Sequence, residues 1–264
     1  MKPRSTGLTP AQQAAVDRLL TEESAVRRHV IVSLSGAHAY GFPSPDSDVD
    51  VKAVHLDGAA ELLGFPRAGR SAERLEVLDG VEVDYSSNEL GGVLLGVLKG
   101  NGNYLERFLS GFVLASTPLG EELEGLVRGA LSRRVARHYL GFASQQRQAW
   151  EAGGRRSVKK LLYVLRTLLT GARLLRTGAM ETDVRVLLPA FGLEAGLELV
   201  REKQRGERAE LPAELSEAWA ARLPGLFAGL VEAEASSVLP LEPAGADELE
   251  AWLVKARLAT LHHH

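Results

Sequence analysis

Residues 35–50 run Ser35-Gly-Ala-His-Ala-Tyr-Gly41, then Phe42-Pro-Ser44, then Pro45-Asp-Ser-Asp-Val-Asp50. The β-branched stretch before them, His29-Val-Ile-Val-Ser-Leu-Ser35, reads as a short buried strand. Gly36 to Ser47 is rich in Gly, Pro and Ser, with an aromatic pair, Tyr40 and Phe42, around Gly41, and reads as loop. Asp48 to Val54 then alternates polar with apolar residues, the pattern of a second strand. Side chains alternate across a strand, so Asp48 and Asp50 share one face while Val49 and Val51 take the other. Two neighbouring carboxylates repel and stay ionised only beside a cation or in screening water. All-oxygen ligands of this kind suit Mg²⁺ or Mn²⁺. A Gly-rich turn after a strand lets backbone N–H groups approach a phosphate. A lone Asp-x-Asp also fits a solvated edge, and a Gly-Pro loop alone is an ordinary turn. Their combination, a dozen residues apart, points to metal–nucleotide chemistry.

Working outward, Thr9, Pro10 and Gln12 make a helix start with a capping box. Val81-Glu-Val-Asp-Tyr85 alternates and reads as a third strand. Beyond residue 88, Leu, Ala and Arg recur at helical spacing. Helices are expected over 88–98, 102–109, 118–128, 131–150, 157–177, 183–190, 193–204, 212–222, 224–235 and 246–260. The expected fold is α+β: a small mixed sheet with flanking helices over 1–110, then an all-helical domain over 111–261.

The chain has 264 residues, 45% of them apolar and 25% charged, which fits a folded globular protein and excludes a disordered or collagen-like one. It contains no cysteine, so disulfides, thiolate metal sites and thiol nucleophiles are excluded. A formal net charge of −3 excludes a chain coated in positive charge, though not a local basic face. No apolar run is long enough to span a membrane, and the start, MKPRSTGLTP, lacks a signal-peptide core. The expectation is a cytoplasmic protein without membrane partners. His262, His263 and His264 read as the remains of a purification tag and are excluded from site reasoning.

SGAHAYGFPSPDSDVDVKAV resembles the signature of polymerase-β-type nucleotidyltransferases, a Gly-Ser turn followed by Asp-x-Asp. More narrowly it is similar to the bacterial RNA-repair-associated family RlaP. KGNGNYLERFLS, residues 99–110, resembles that family's Asn-x-Asn-x-x-Glu stretch, here Asn101, Asn103 and Glu106. KKLLYVLRTLLTGARLLRTG, residues 159–178, resembles its Lys-x-x-Tyr-x-x-Arg helix. The resemblance covers about residues 30–180. One departure stands out: Ala37 occupies the position where the superfamily usually has Ser, and Ser35 is the nearest alternative hydroxyl.

The resemblance implies a third acid on a neighbouring strand. The alternation of residues 81–85 leaves both Glu82 and Asp84 open. The family's spacing to the following helix, opened here by Leu90, favours Asp84. Asp48, Asp50 and Asp84 would then be the catalytic and metal-holding residues. Ser35, Gly36, Ala37, His38, Tyr40, Gly41 and Ser47 would shape the nucleotide's phosphate turn. Arg155 to Met180 holds seven Lys or Arg and no acid, with Lys159, Tyr163 and Arg166 at i, i+4 and i+7 and leucines roughly on another face. Read alone, that is also the pattern of a solvated basic face over a leucine core. The resemblance assigns Lys160, Tyr163 and Arg166 to the nucleotide and makes the helical domain the closing wall of the nucleotide and acceptor cleft.

The implied activity is transfer of an NMP from an NTP, ATP favoured, to a hydroxyl acceptor such as an RNA end, with release of pyrophosphate and with Mg²⁺ or Mn²⁺. Two alternatives compete with it: a module that binds an NTP or RNA terminus without turnover, and a toxin-like transferase acting on protein or tRNA. A purely structural helical protein would leave the acidic pair unexplained. His29, His55 and His138 are too scattered for a metal site, Asp46 reads as loop, and Trp150, Trp219 and Trp252 as core. Asn103 is the expected cap of the helix that follows it, and Arg201 to Arg208 reads as a solvated helix end.

Overall fold

Strand β1 (His29–Leu34) takes five buried positions from its β-branched run and becomes an inner strand. The computed structural model describes residues 7–63, 65, 71–206 and 208–262. His263 and His264, read above as tag remains, lie outside the described residues, as does Glu207 of the mixed-charge run. After β1 come helix α2 (Gly36–Tyr40), strand β2 (Val49–His55), helix α3 (Ala59–Leu63), strand β3 (Ser71–Leu78) and strand β4 (Val81–Glu89). Helix α1 (Pro10–Ser24) precedes them, capped by Thr9 and Gln12 in the expected reciprocal box. Helices α4 (Leu90–Leu98) and α5 (Gly102–Leu109) follow, then strand β5 (Val113–Ser116) and helix α6 (Pro118–Gly129).

The five strands form one mixed sheet in the order β3-β4-β2-β1-β5. β2 and β4 run parallel, and the other pairs are antiparallel. Val49, Val51, Val83 and Tyr85 alternate into the core at 0% exposure. Each such buried apolar side chain is worth about 1.5–3 kcal/mol. The fold is therefore α+β, with a small mixed sheet, flanking helices and helices to the C-terminal side.

The chain divides into two compact units. The first holds Met1–His38, Asp48–Leu131 and Pro243–His264; the second holds Ala39–Ser47 and Ser132–Glu242. The expected boundary at 110/111 thus falls inside the first unit, because β5 pairs with β1 and α6 follows it. The last helix, α12 (Ala246–Ala259), also belongs to the first unit. Arg257 donates to Glu89 at 2.8 Å, and Trp252 Nε1 donates to Glu122 at 2.9 Å. Trp252 is consequently half-buried with its N–H spent on a carboxylate, whereas Trp150 and Trp219 are core, at 0% and 2% exposure.

The second unit contains α7 (Val135–Ala152), α8 (Val158–Thr177), α9 (Val184–Ala190), α10 (Gly196–Gln204) and α11 (Ala213–Ala235). α11 is one helix where two were expected, continuing through Pro224. Proline removes one backbone donor and strains the turn before it. Trp219 and Leu223 before it and Leu230 and Ala233 after it are all buried, so packing holds both halves in one helix. Among the described residues no helix is long and apolar enough to cross a membrane.

Two strands went unforeseen. Ser71–Leu78 is rich in Ala, Glu, Arg and Leu, all good helix formers. It is a strand because Asp79 and Gly80 adopt φ of 51° and 84°, the positive pair of a type I′ turn that folds β3 back on β4. β5 is only four residues long, too short for periodicity to mark. Gly36–Tyr40, expected as loop, is the short helix α2, with Ala37, His38, Ala39 and Tyr40 all buried. Asn101, rather than Asn103, caps α5, accepting from the Asn103 N–H at 3.0 Å.

Candidate active site

Asp50 and Asp84 are direct partners in the parallel β2–β4 register. Side chains at paired positions stand on the same face of a sheet, so the two carboxylates lie level on adjacent strands. Lys52, two residues after Asp50, shares that face. Its ammonium is 3.1 Å from Asp84 Oδ2 and 3.9 Å from Asp50 Oδ1. The three side chains are partly shielded, at 19% exposure for Asp50, 20% for Lys52 and 41% for Asp84. Asp48 sits one residue before β2 and is half-buried. Glu82, the other candidate third acid, is exposed and pairs across to Val77 on the edge strand.

Gly36 explains why this turn needs glycine. Its φ is +58°, and a Cβ there would lie 1.7 Å from Asp50 Oδ2. The carboxylate rests against the bare backbone, in a space that any side chain at 36 would fill. The Ser35 N–H donates to the Asp50 carbonyl at 2.9 Å, which fixes the turn to β2 at the same residue. His38 is buried, with Nε2 3.4 Å from the Gln12 amide of α1.

Beneath the sheet, His29 Nε2 and the Tyr85 hydroxyl are 2.7 Å apart. His55 Nδ1 and the Ser87 hydroxyl are also 2.7 Å apart. Burial pushes both imidazoles below their ordinary pKa, and Asp57 pulls His55 only partly back.

The remaining residues singled out from sequence belong to the second unit and are used there. Arg166, expected on an open basic face, is 1% exposed, and its guanidinium lies 3.8 Å over the Tyr40 ring. Tyr163 meets Tyr40 and Phe42 edge-on, at 5.7 and 5.6 Å between ring centres. Lys160 is exposed and donates to the Ala149 carbonyl at 3.2 Å, near the C-terminal end of α7, where cations are favoured. Gly41 has φ +87°, and a Cβ there would lie 2.0 Å from Asp183 Oδ1. Ser47 bonds Ser44, which accepts from the buried Lys203 ammonium at 2.7 Å. Segment 39–47 is thereby fastened to α8, α9 and α10.

Among the described residues no three His, Asp or Glu side chains form a group that could hold a metal, so Asp48, Asp50 and Asp84 are not gathered as one. The donor chemistry still fits a hard divalent ion. Asp50 and Asp84 offer only oxygens and already share one cation, and the Gly36 cradle keeps the Asp50 carboxylate in place. Lys52 escaped the sequence reading. The signal was available in the same alternation, since Asp48, Asp50 and Lys52 fall on one face.

The chain is 32% identical over 155 residues to an uncharacterized protein, MJ0002, of Methanocaldococcus jannaschii, a match covering 58% of this chain and 63% of that one. The chain thus spans less than two thirds of that relative's length. It is 26% identical over 215 residues to the uncharacterized protein YcgL of Bacillus subtilis, covering 77% and 81% of the two. A nucleotidyltransferase-like protein from Exiguobacterium sibiricum overlaps 85% of this chain and 74% of its own, with a TM-score of 0.34 and 13% identity, too distant to argue from. Residues 9–255 match the RlaP family, and the protein belongs to it: the RNA repair pathway DNA polymerase beta family.

Proposed function

We propose that this protein is a metal-dependent nucleotidyltransferase that moves an NMP from an NTP to a hydroxyl acceptor and releases pyrophosphate. Family membership supports the polymerase-β-type transferase. The observation that carries the chemistry is the level pairing of Asp50 with Asp84 around one shared cation. ATP is the donor to try first, and the family's RNA-repair description makes an RNA end the first acceptor.

In this reading Asp48, Asp50 and Asp84 are the residues that would hold Mg²⁺ or Mn²⁺, two ions in all, once drawn together around them. When bound, such ions would supply charge to polarise the phosphoryl oxygens and acidify the attacking hydroxyl. Asp84, more open than Asp50, would receive the hydroxyl proton. The hydroxyl oxygen bonds to the α-phosphorus as the bond to the β-phosphate oxygen breaks. Ser35, Gly36 and Ala37 line the triphosphate, and Gly36 keeps the turn against Asp50.

The test is incubation with each α-labelled NTP, Mg²⁺ or Mn²⁺, and RNA and protein acceptors. An Asp48→Ala/Asp50→Ala variant runs beside it. Label transfer that disappears in the variant supports the reading and names donor and acceptor. Label on protein or tRNA instead makes it a toxin-like transferase. Metal-dependent NTP binding without transfer replaces the enzyme with a binding module.

A further inference from the structure

We infer that Lys52 is a resident counter-ion of the Asp50–Asp84 pair, which a divalent cation must displace, so the site takes its metal together with a nucleotide triphosphate rather than as a free ion. The inference rests on the metal-binding reading above and deepens it.

Strand geometry places the ammonium between the carboxylates. Asp50 and Lys52 share a face because they are two residues apart, and Asp84 is level with Asp50 across the ladder. The resulting contacts of 3.1 and 3.9 Å use the same oxygens that a metal would need. The Asp50 carboxylate is backed by Gly36, in a space that a Cβ would fill. An incoming divalent ion therefore meets a positive charge in its own position, in a partly shielded site where like charges repel more strongly than in water.

Lysine suits such a role. Its charge is compact and rides on a flexible four-carbon stem, so it can leave one anion for another. A triphosphate entering with the metal offers the displaced ammonium that second anion. The free ion offers nothing and must bear the full cost of breaking the two contacts. The site thereby couples metal occupancy to the presence of substrate.

The test is Mn²⁺ titration followed by the EPR signal of the free ion, with and without a non-hydrolysable ATP analogue. Wild type is compared with Lys52→Met, Lys52→Gln and Lys52→Arg, and with Asp50→Asn. Without nucleotide, removing the charge should tighten Mn²⁺ binding about tenfold or more, while Lys52→Arg should not tighten it. The analogue should strengthen Mn²⁺ binding more in wild type than in Lys52→Met, because only wild type has an ammonium to hand over. Asp50→Asn should weaken binding throughout. Melting curves establish that each variant is folded, and the Met and Gln variants stand in for each other if one is not. If folded Lys52→Met and Lys52→Gln bind free Mn²⁺ no tighter than wild type, the counter-ion inference is overturned while the metal site stands. If no variant binds Mn²⁺ even with the analogue, the metal reading falls and the inference falls with it.

Discussion

Two clusters, one in each unit, treat charge in opposite ways. On the sheet of the first unit, Asp50, Lys52 and Asp84 are held half-open, close enough to neutralise one another yet reachable from water. In the second unit, Arg166 and Lys203 are almost wholly enclosed, one over an aromatic ring and the other on a serine hydroxyl. The first arrangement leaves lone pairs that an incoming cation can compete for. The second fixes segment 39–47 in place. Two glycines repeat the contrast: Gly36 makes room for a carboxylate on the open face, and Gly41 makes room for Asp183 within the helical unit. On the proposed reading a motif residue serves either the chemistry or the scaffold, and burial separates the two roles.

The sharpest test of this contrast is chemical. Asp84→Asn should lower nucleotidyl transfer by about 10²–10⁴-fold, the range for losing a positioned proton acceptor. Its urea midpoint should stay near wild type, because a half-exposed surface carboxylate contributes little to folding. Transfer that survives in Asp84→Asn would place the third acid elsewhere, with Glu82 next to be tried.

Arg166→Ala should do the reverse. It removes a fully buried side chain and its stacking on Tyr40, for a loss of about 3 kcal/mol in urea unfolding. Should Arg166→Ala leave stability unchanged and abolish nucleotide binding, the division between the open and enclosed charges would collapse.

Exchanging the two glycines for alanine sharpens the same point. Each carries a left-handed strain of about 1–2 kcal/mol. Gly36→Ala should in addition displace the Asp50 carboxylate and weaken Mn²⁺ binding. Gly41→Ala should disturb the Asp183–Arg185 pair and lower stability, and Mn²⁺ binding should not register it. Equal loss of Mn²⁺ binding in both would contradict the separate roles.

The smallest effect concerns pH. Burial holds the His29 and His55 imidazoles below their ordinary pKa of 6.5 in the folded state. The unfolded chain binds protons first as pH falls through 6.5, so stability is complete above that pH and declines below it. A series of melting temperatures from neutral to mildly acidic pH reads this, and His29→Gln should flatten part of the slope. Glu23 and Asp57, which favour the charged imidazoles, soften the decline, while Arg27 opposes protonation of both. A flat profile in wild type would mean that these histidines are as hydrated as the side chains of the open face.

Much of the molecule was legible in the residues themselves, for reasons of period and stereochemistry. β-branched runs marked β1 and β2, leucine spacing marked most helices, and alternation placed Asp48 and Asp50 on one face. Those are properties of a single segment, and a segment carries them in its own order of residues. Tertiary structure decided what depends on a partner. β3 is a strand because the Asp79–Gly80 turn returns it to β4, against the helix preference of its composition. The pairing of Asp84 with Asp50 depends on the parallel register, which no spacing along the chain expresses. Arg166 is enclosed because segment 39–47 packs on α8, more than a hundred residues away in sequence. Pattern records which way a side chain faces within its element; only packing establishes what it meets there, and that decides whether a charge holds the fold or stays available to a substrate.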